Sequence, residues 1–124
     1  MNLYESAEDY LERILMLKEQ NGQVKSIDIA NSMGYSKASI SRAVKNLKND
    51  NYITVDEKGF IELTTKGNDV ARKVLERHRL FKSFFMMLGI PEDVAEKDAC
   101  KIEHDLSDET YTALINHINS EQKK

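Results

Sequence analysis

Apolar residues recur at helical spacing along most of the chain, broken by one stretch of β-formers. From about Glu5 to Gln20, Tyr10, Leu11, Ile14, Leu15, Met16 and Leu17 predict an amphipathic helix. Asn21-Gly22 ends it, Gly22 being able to take the left-handed cap. Ser26 is the expected N-cap of a short helix from Ile27 to Ser32. Gly34 then supplies a tight turn, and Ser36 caps a helix from Lys37 to Asn49 with the stripe Ile40, Val44 and Leu47. Tyr52-Ile53-Thr54-Val55 and Phe60-Ile61-Glu62-Leu63, joined by Asp56-Glu57-Lys58-Gly59, read as a hairpin. Short helix, glycine turn, capped second helix and hairpin together make a winged helix-turn-helix with a two-stranded β wing.

The remainder is helical. Thr64 or Thr65 caps a long helix to about Leu88, with Val70, Val74, Leu75, His78, Phe81, Phe85 and Leu88 on one face. Gly89 stops it. Pro91, Glu92 and Asp93 open a further helix to about Asp105, and Ser107 caps a last one through about Ile118. The expected fold is mainly α, with a DNA-binding winged helix-turn-helix domain over residues 1–63 and a helical region over residues 64–124.

Composition narrows the function classes. At 124 residues the chain is short for a cofactor-binding enzyme domain plus a substrate domain, and no apolar run reaches the ~20 residues of a membrane span. The start, Met1-Asn2-Leu3-Tyr4-Glu5, does not read as a signal peptide, and the single Cys100 suits a reducing, cytoplasmic setting. A net charge of −3 does not suggest a nucleic-acid binder, but its distribution does. From Ser36 to Asn49 there are four basic residues and no acidic one, while acids gather at Glu5, Glu8, Asp9 and Glu12 and again from Glu92 to Asp105.

The capped helix offers Ser36, Lys37, Ser39, Ser41, Arg42, Lys45 and Lys48 away from its apolar stripe, and Lys58 stands at the wing tip. Small hydroxyls and cations suit a helix entering a major groove: Arg42 can pair bidentately with guanine, while Lys45 and Lys48 are placed for phosphates. A solvated lysine-rich face explains the charges alone; with the turn, cap and wing, DNA binding is favoured. Winged helices also serve as protein-interaction modules.

Cys100, Glu103 and His104 stand at i, i+3 and i+4, with Glu96 one turn earlier, so one helix face is expected to present sulfur, carboxylate and imidazole. Asp9 and Glu12 present two carboxylates at i and i+3, and His78 sits in an apolar face. These donors suit a first-row divalent ion. Each also has a plain reading: a small buried hydrophobe for Cys100, a solvated face for the acids, a core histidine for His78. His117 is read as surface or packing. A Cys-His catalytic pair finds no orienting residue or oxyanion hole, so no enzyme is expected.

Four stretches carry a family likeness: Ala7-Glu8-Asp9-Tyr10-Leu11-Glu12, Leu63-Thr64-Thr65-Lys66-Gly67, Arg77-His78-Arg79-Leu80 and Cys100-Lys101-Ile102-Glu103-His104-Asp105-Leu106-Ser107. With the order of elements, they resemble the diphtheria-toxin-repressor and manganese-transport-regulator family of metal-dependent transcriptional repressors, from about Glu5 to Ile118. The resemblance implies a homodimer on double-stranded operator DNA, with Mn(II) or Fe(II) as corepressor for metal-uptake genes and Co(II) or Zn(II) as further candidates. It implies metal ligands at Asp9, Glu12, His78, Cys100, Glu103 and His104. In length the chain resembles the manganese type. Cys100, however, stands where that type has glutamate, and Asp9 where the iron type has methionine. Lys82 puts a cation where the iron type has an acidic ligand of its ancillary site.

Overall fold

The computed structural model describes residues 3–122, and the side chains of residues 7–120. Met1, Asn2, the side chain of Glu5 and the end of the polar tail, Lys123-Lys124, lie outside these. The elements are α1 (Leu3–Asn21), α2 (Ser26–Met33), α3 (Lys37–Asn49), β1 (Ile53–Val55), β2 (Ile61–Leu63), α4 (Thr65–Met87), α5 (Glu92–Ile102) and α6 (Asp108–Gln122). The chain forms two compact units, the first ending at Leu75 and the second beginning at Glu76. No described helix is long and apolar enough to cross a membrane.

The first unit is the winged helix-turn-helix. Its core gathers Leu11, Ile14, Leu15 and Leu17 of α1, Ile29 and Ala30 of α2, Ile40 and Leu47 of α3, Ile53 and Ile61 of the wing, and Ala71 and Leu75 of α4. The wing is antiparallel, with Thr54 opposite Glu62, and Asp56 Oδ1 accepts the Lys58 and Phe60 amides at 2.9 Å to shape its turn. Ser36 caps α3 by accepting the Ser39 amide at 3.1 Å, a bond that contributes ~1 kcal/mol. Gly34 ends α2 at φ 72°, a left-handed conformation that sets the sharp turn between the two helices.

α2 begins one residue earlier than its sequence suggests. Lys25, not Ser26, is the N-cap, and the Asp28 carboxylate accepts the Lys25 amide at 2.9 Å. Asp28 thus plays the acidic half of a capping box with no hydroxyl in the other half.

The Leu63-Thr64-Thr65-Lys66-Gly67 stretch ties the wing to the start of α4. Thr64 Oγ1 accepts the Gly67 amide at 3.1 Å, so Thr64 is the cap, and the same hydroxyl reaches the Asn51 carbonyl at 2.7 Å. Lys66 lies over the Tyr52 ring, 4.2 Å from its centroid, and donates to the Asp50 carbonyl at 2.9 Å. Gly67 has no room for a side chain: a Cβ there would lie 1.9 Å from the Tyr52 carbonyl oxygen.

In the second unit, Phe81 of α4 is buried and lies near Phe85 and Tyr111, with ring centroids 6.2 and 6.1 Å away. Ala95 and Ala99, one turn apart on α5, are wholly buried. Two of these helices stop earlier than expected. α4 stops at Met87 and leaves Leu88 exposed, because the Leu88 and Gly89 amides turn back onto the carbonyls of Phe85 and Met86. α5 stops at Ile102, so Glu103 is its C-cap and His104 lies in the following turn instead of on a continuing helix face. Ser107 caps α6 through the Thr110 amide at 3.1 Å, and α6 extends past Ile118 to Gln122.

Gly67→Ala is expected to lower the melting temperature, although alanine normally stabilises a helix interior by ~1 kcal/mol over glycine. A thermal melt of the variant checks this; a rise would mean that the Tyr52 backbone gives way freely.

Candidate metal centre and nucleic-acid interface

His78 projects from α4 into a set of donors within the second unit. Its ring is buried, and both nitrogens face carboxylates. Nδ1 lies 3.0 Å from Glu103 Oε2 and 3.6 Å from Cys100 Sγ, while Nε2 lies 2.8 Å from Glu96 Oε1. One ligand atom each from His78, Cys100 and Glu103 fall within 4.8 Å of one another. His104 joins them from the turn after α5, with Nε2 3.1 Å from Glu103 Oε1. The early end of α5 thus does not disperse the donors.

Charge alternates through this group. Lys82 donates to Glu96 at 3.0 Å and Glu92 at 3.3 Å, and Glu96 in turn meets His78. Hydrogen bonds with Cys100 and then Glu103 push the His78 pKa up to about 11, against desolvation that lowers it. Burial alone would raise the Glu96 pKa, but Lys82 and His78 hold it below the usual carboxylate value. Lys82 is held above the ordinary lysine value by Glu96 and Glu92. Without a metal, His78 is an imidazolium, since each nitrogen needs a proton to meet its carboxylate oxygen.

The residues fit a divalent transition ion. Glu103 is 1% exposed, and its Oε1 accepts no hydrogen bond among the described residues. A buried carboxylate oxygen without a donor is costly unless a cation satisfies it. Sulfur, imidazole nitrogen and carboxylate oxygen converging on one point form a mixed donor set that such ions accept. Asp9 and Glu12 sit on one face of α1 in the first unit, Asp9 partly buried and Glu12 buried. His117 is exposed.

Two residues of the second unit carry roles that the sequence reading did not assign. Glu96 was placed on the donor face but not as the partner of the second His78 nitrogen. Arg77 is buried despite its charge and donates to the Leu106 carbonyl at 3.2 Å. Its position among apolar face residues of α4 was the one available signal.

On the first unit, Ser36, Lys37, Ser41, Arg42, Lys45 and Lys48 are exposed along α3, and Lys58 is exposed at the wing tip. Ser39 is partly buried, and its hydroxyl receives that of Ser36 at 3.0 Å. The first two hydroxyls of the helix are therefore engaged in its cap, leaving Ser41 and the cations as the outward-facing groups.

Family models match both parts of the chain: "Iron dependent repressor, N-terminal DNA binding domain" over residues 2–60 and "Iron dependent repressor, metal binding and dimerisation domain" over residues 64–123. The chain belongs to the iron-dependent repressor family. Members of this family are metal-dependent transcriptional regulators and not enzymes. The HTH-type transcriptional regulator MntR of Bacillus subtilis is 33% identical over 102 residues, 82% of this chain and 72% of that protein. An uncharacterized HTH-type transcriptional regulator of Methanocaldococcus jannaschii is 38% identical over 89% of this chain and 90% of its own length. Among solved structures, the manganese regulator SloR aligns with a TM-score of 0.80 and 31% identity over 91% of this chain. A manganese-dependent transcriptional repressor in complex with manganese aligns with a TM-score of 0.82 and 26% identity, also over 91%. The chain spans about half the length of these two solved chains, 53% and 52%.

In the metal-free repressor, His78 is expected to stay doubly protonated at pH 8, where a free histidine is neutral. Its folded pKa lies above the ordinary 6.5, so its stabilising contribution is full below about 6.5 and lost as pH rises through about 11. Nitrogen chemical shifts of the His78 ring against pH check this; a neutral ring at pH 8 would refute the doubly bonded imidazolium.

Proposed function

We propose that this repressor binds operator DNA as a homodimer when Mn(II) or Fe(II) is held at its metal centre, and that it controls metal-uptake genes in the cytoplasm. The observation that carries this reading is the convergence of His78, Cys100 and Glu103, with His104 beside the second Glu103 oxygen, which is buried and accepts no hydrogen bond among the described residues. In this reading residues 1–63 read DNA, and residues 64–124 bind metal and dimerise.

His78, Cys100, Glu103 and His104 would hold the ion, and the family resemblance adds Asp9 and Glu12. A bound divalent ion supplies positive charge to a region rich in carboxylates. His78 would offer Nδ1, the nitrogen that faces Cys100 and Glu103, and keep Nε2–H on Glu96, a carboxylate that fixes the ring as such partners do for metal-bound histidines. Neutralising these acids would restrict the separations that two DNA heads sample. The heads then suit successive major grooves, about 34 Å apart. The gain is pre-organisation, because a rarely populated competent state lowers apparent affinity by its fraction. On α3, Arg42 reads a base while Lys37, Lys45 and Lys48 meet phosphates, with Ser41 beside them and Lys58 reaching from the wing. Ser36 and Ser39 contribute chiefly by holding the N-terminus of α3 in shape. A second copy has an apolar surface to meet at the end of α4 and start of α5, where Met86, Met87, Leu88 and Val94 are exposed.

The mixed donor set bears on which ion is chosen. Asp9, Glu12 and Glu103 are hard ligands that suit Mn(II), whereas Cys100 is soft and favours Fe(II), Co(II) or Zn(II). Anaerobic titration of metal-stripped protein with each ion is expected to show saturable binding and a raised melting temperature, both lost in Glu103→Ala/His104→Ala. Equal metal response in that double variant would overturn the site. Arg42→Ala is expected to weaken operator binding by ~1–3 kcal/mol with metal affinity unchanged, as for loss of a bidentate base contact. Fluorescence anisotropy at fixed salt checks this; loss of metal affinity as well would make Arg42 structural. DNA affinity indifferent to every ion would support a winged-helix regulator with another signal, and absence of salt-dependent DNA affinity a protein-interaction module.

A further inference from the structure

We propose that Arg77 is a positioning residue that couples occupancy of the metal centre to helix α6. The inference rests on the metal reading above and concerns a part of the second unit which that reading leaves unused.

α5 ends at Ile102, and the five residues 103–107 turn the chain into α6. This turn carries two of the site donors, Glu103 and His104. The carbonyls of a C-cap and of the turn beyond it have no helical amide partner and depend on water or another donor to satisfy them. Arg77 does so here. One guanidinium nitrogen, Nη1, reaches the carbonyls of Glu103 at 3.5 Å and Leu106 at 3.2 Å, which flank His104 in the chain. The other, Nη2, pairs with the carboxylate of Asp108, the first residue of α6. The guanidinium carbon lies 4.4 Å from the ring centroid of Tyr111, one turn further along α6. The Arg77 side chain is 7% exposed, so this charge has left water to make these contacts.

A planar guanidinium can serve two carbonyls, a carboxylate and a ring face at once; an ammonium has no such fork. The turn with its donors and the first turn of α6 are therefore held by one side chain. Whatever fixes Glu103 and His104 also fixes α6, and by linkage whatever fixes α6 favours the ligand-competent turn by the same factor. An arginine serving only the fold would stabilise the protein equally with and without metal. The coupling predicts a difference between the two states.

The experiment is amide hydrogen exchange along α6 in the full chain at fixed protein concentration, with and without saturating Mn(II), alongside Mn(II) titration. The variants are Arg77→Lys and Asp108→Asn. The Asp108 side chain is 73% exposed, so its variant is expected to fold even if the buried lysine variant does not. In the wild type, Mn(II) should slow α6 exchange by roughly five-fold or more, the lower end of common coupling energies. In Asp108→Asn, and more so in Arg77→Lys, that difference should shrink, and Mn(II) affinity should fall by the factor by which the protection difference falls. Identical α6 exchange with and without Mn(II) in a wild type that binds the ion overturns the coupling alone. A full α6 response retained in Asp108→Asn overturns it as well. A wild type that binds neither Mn(II) nor, anaerobically, Fe(II) overturns the metal reading and the coupling together, and one that binds only Fe(II) is put through the same exchange comparison with that ion.

Discussion

A buried imidazolium between two carboxylates is the constraint around which the second unit is arranged. Removing a charge from water costs several kcal/mol even after relaxation, and an ion pair offsets this only when its remaining hydrogen bonds are satisfied. His78 meets that condition twice, with Glu103 on one nitrogen and Glu96 on the other, and Glu96 is itself held by Lys82. Glu103 meets it only in part, since its buried Oε1 accepts no hydrogen bond among the described residues although His104 Nε2 lies 3.1 Å away. The network therefore sets three carboxylates, Glu92, Glu96 and Glu103, against the two cations His78 and Lys82, and it is unfinished in hydrogen bonding on the side where His104 stands. A site that is fully satisfied without its ligand gains little by binding one. This one retains a reason to bind.

The first unit solves a different problem, which is to hold a cationic helix outward on a protein of net negative charge. The apolar face of α3 is anchored at Ile40 and Leu47, and the backbone on either side of the helix is fixed by specific bonds instead of by bulk. Gly34 and Ser36 set its entry. Thr64, Lys66 and Gly67 close on the segment from Asp50 to Tyr52 at its exit. That division of labour leaves Lys37, Arg42, Lys45 and Lys48 exposed on α3. Charge location, not net charge, decides what such a surface attracts.

Helix existence and the wing were legible because they rest on local signals: apolar periodicity, glycine at left-handed positions, and hydroxyl caps at Ser36 and Ser107. The cap of α2 was misplaced because a lysine N-cap carries no side-chain acceptor, and the acid that completes it sits three residues on. The end of α5 was read too late because Glu103 and His104 continue the helical spacing of Cys100. The turn beyond Ile102 is held by Arg77, which donates to the carbonyls of Glu103 and Leu106, contacts across 26 and 29 residues that no local pattern contains. The six candidate metal ligands could be named from spacing and family likeness, and four of them lie together in one unit. The partners of those ligands could not be read in the same way. Glu96 and Arg77 look like ordinary charged helix residues until the fold shows which atoms they face.

Position within the site also separates the work of the two donors whose chemistry conflicts. Glu103 is wholly buried, bonded to His78 and next to His104, so it sets the geometry whatever ion is present. Cys100 is exposed, and its sulfur approaches His78 only at 3.6 Å. A soft donor at the rim changes which ions are preferred without carrying the framework of the site, because its replacement removes one ligand atom and one long contact to His78 while the two carboxylate bonds of that ring remain. A hard donor in the interior cannot be exchanged on those terms, since changing Glu103 would strand the His78 charge it meets. Selectivity between hard and soft ions can therefore shift at Cys100 while the affinity of the site for a divalent ion of either kind stays rooted in Glu103 and His78.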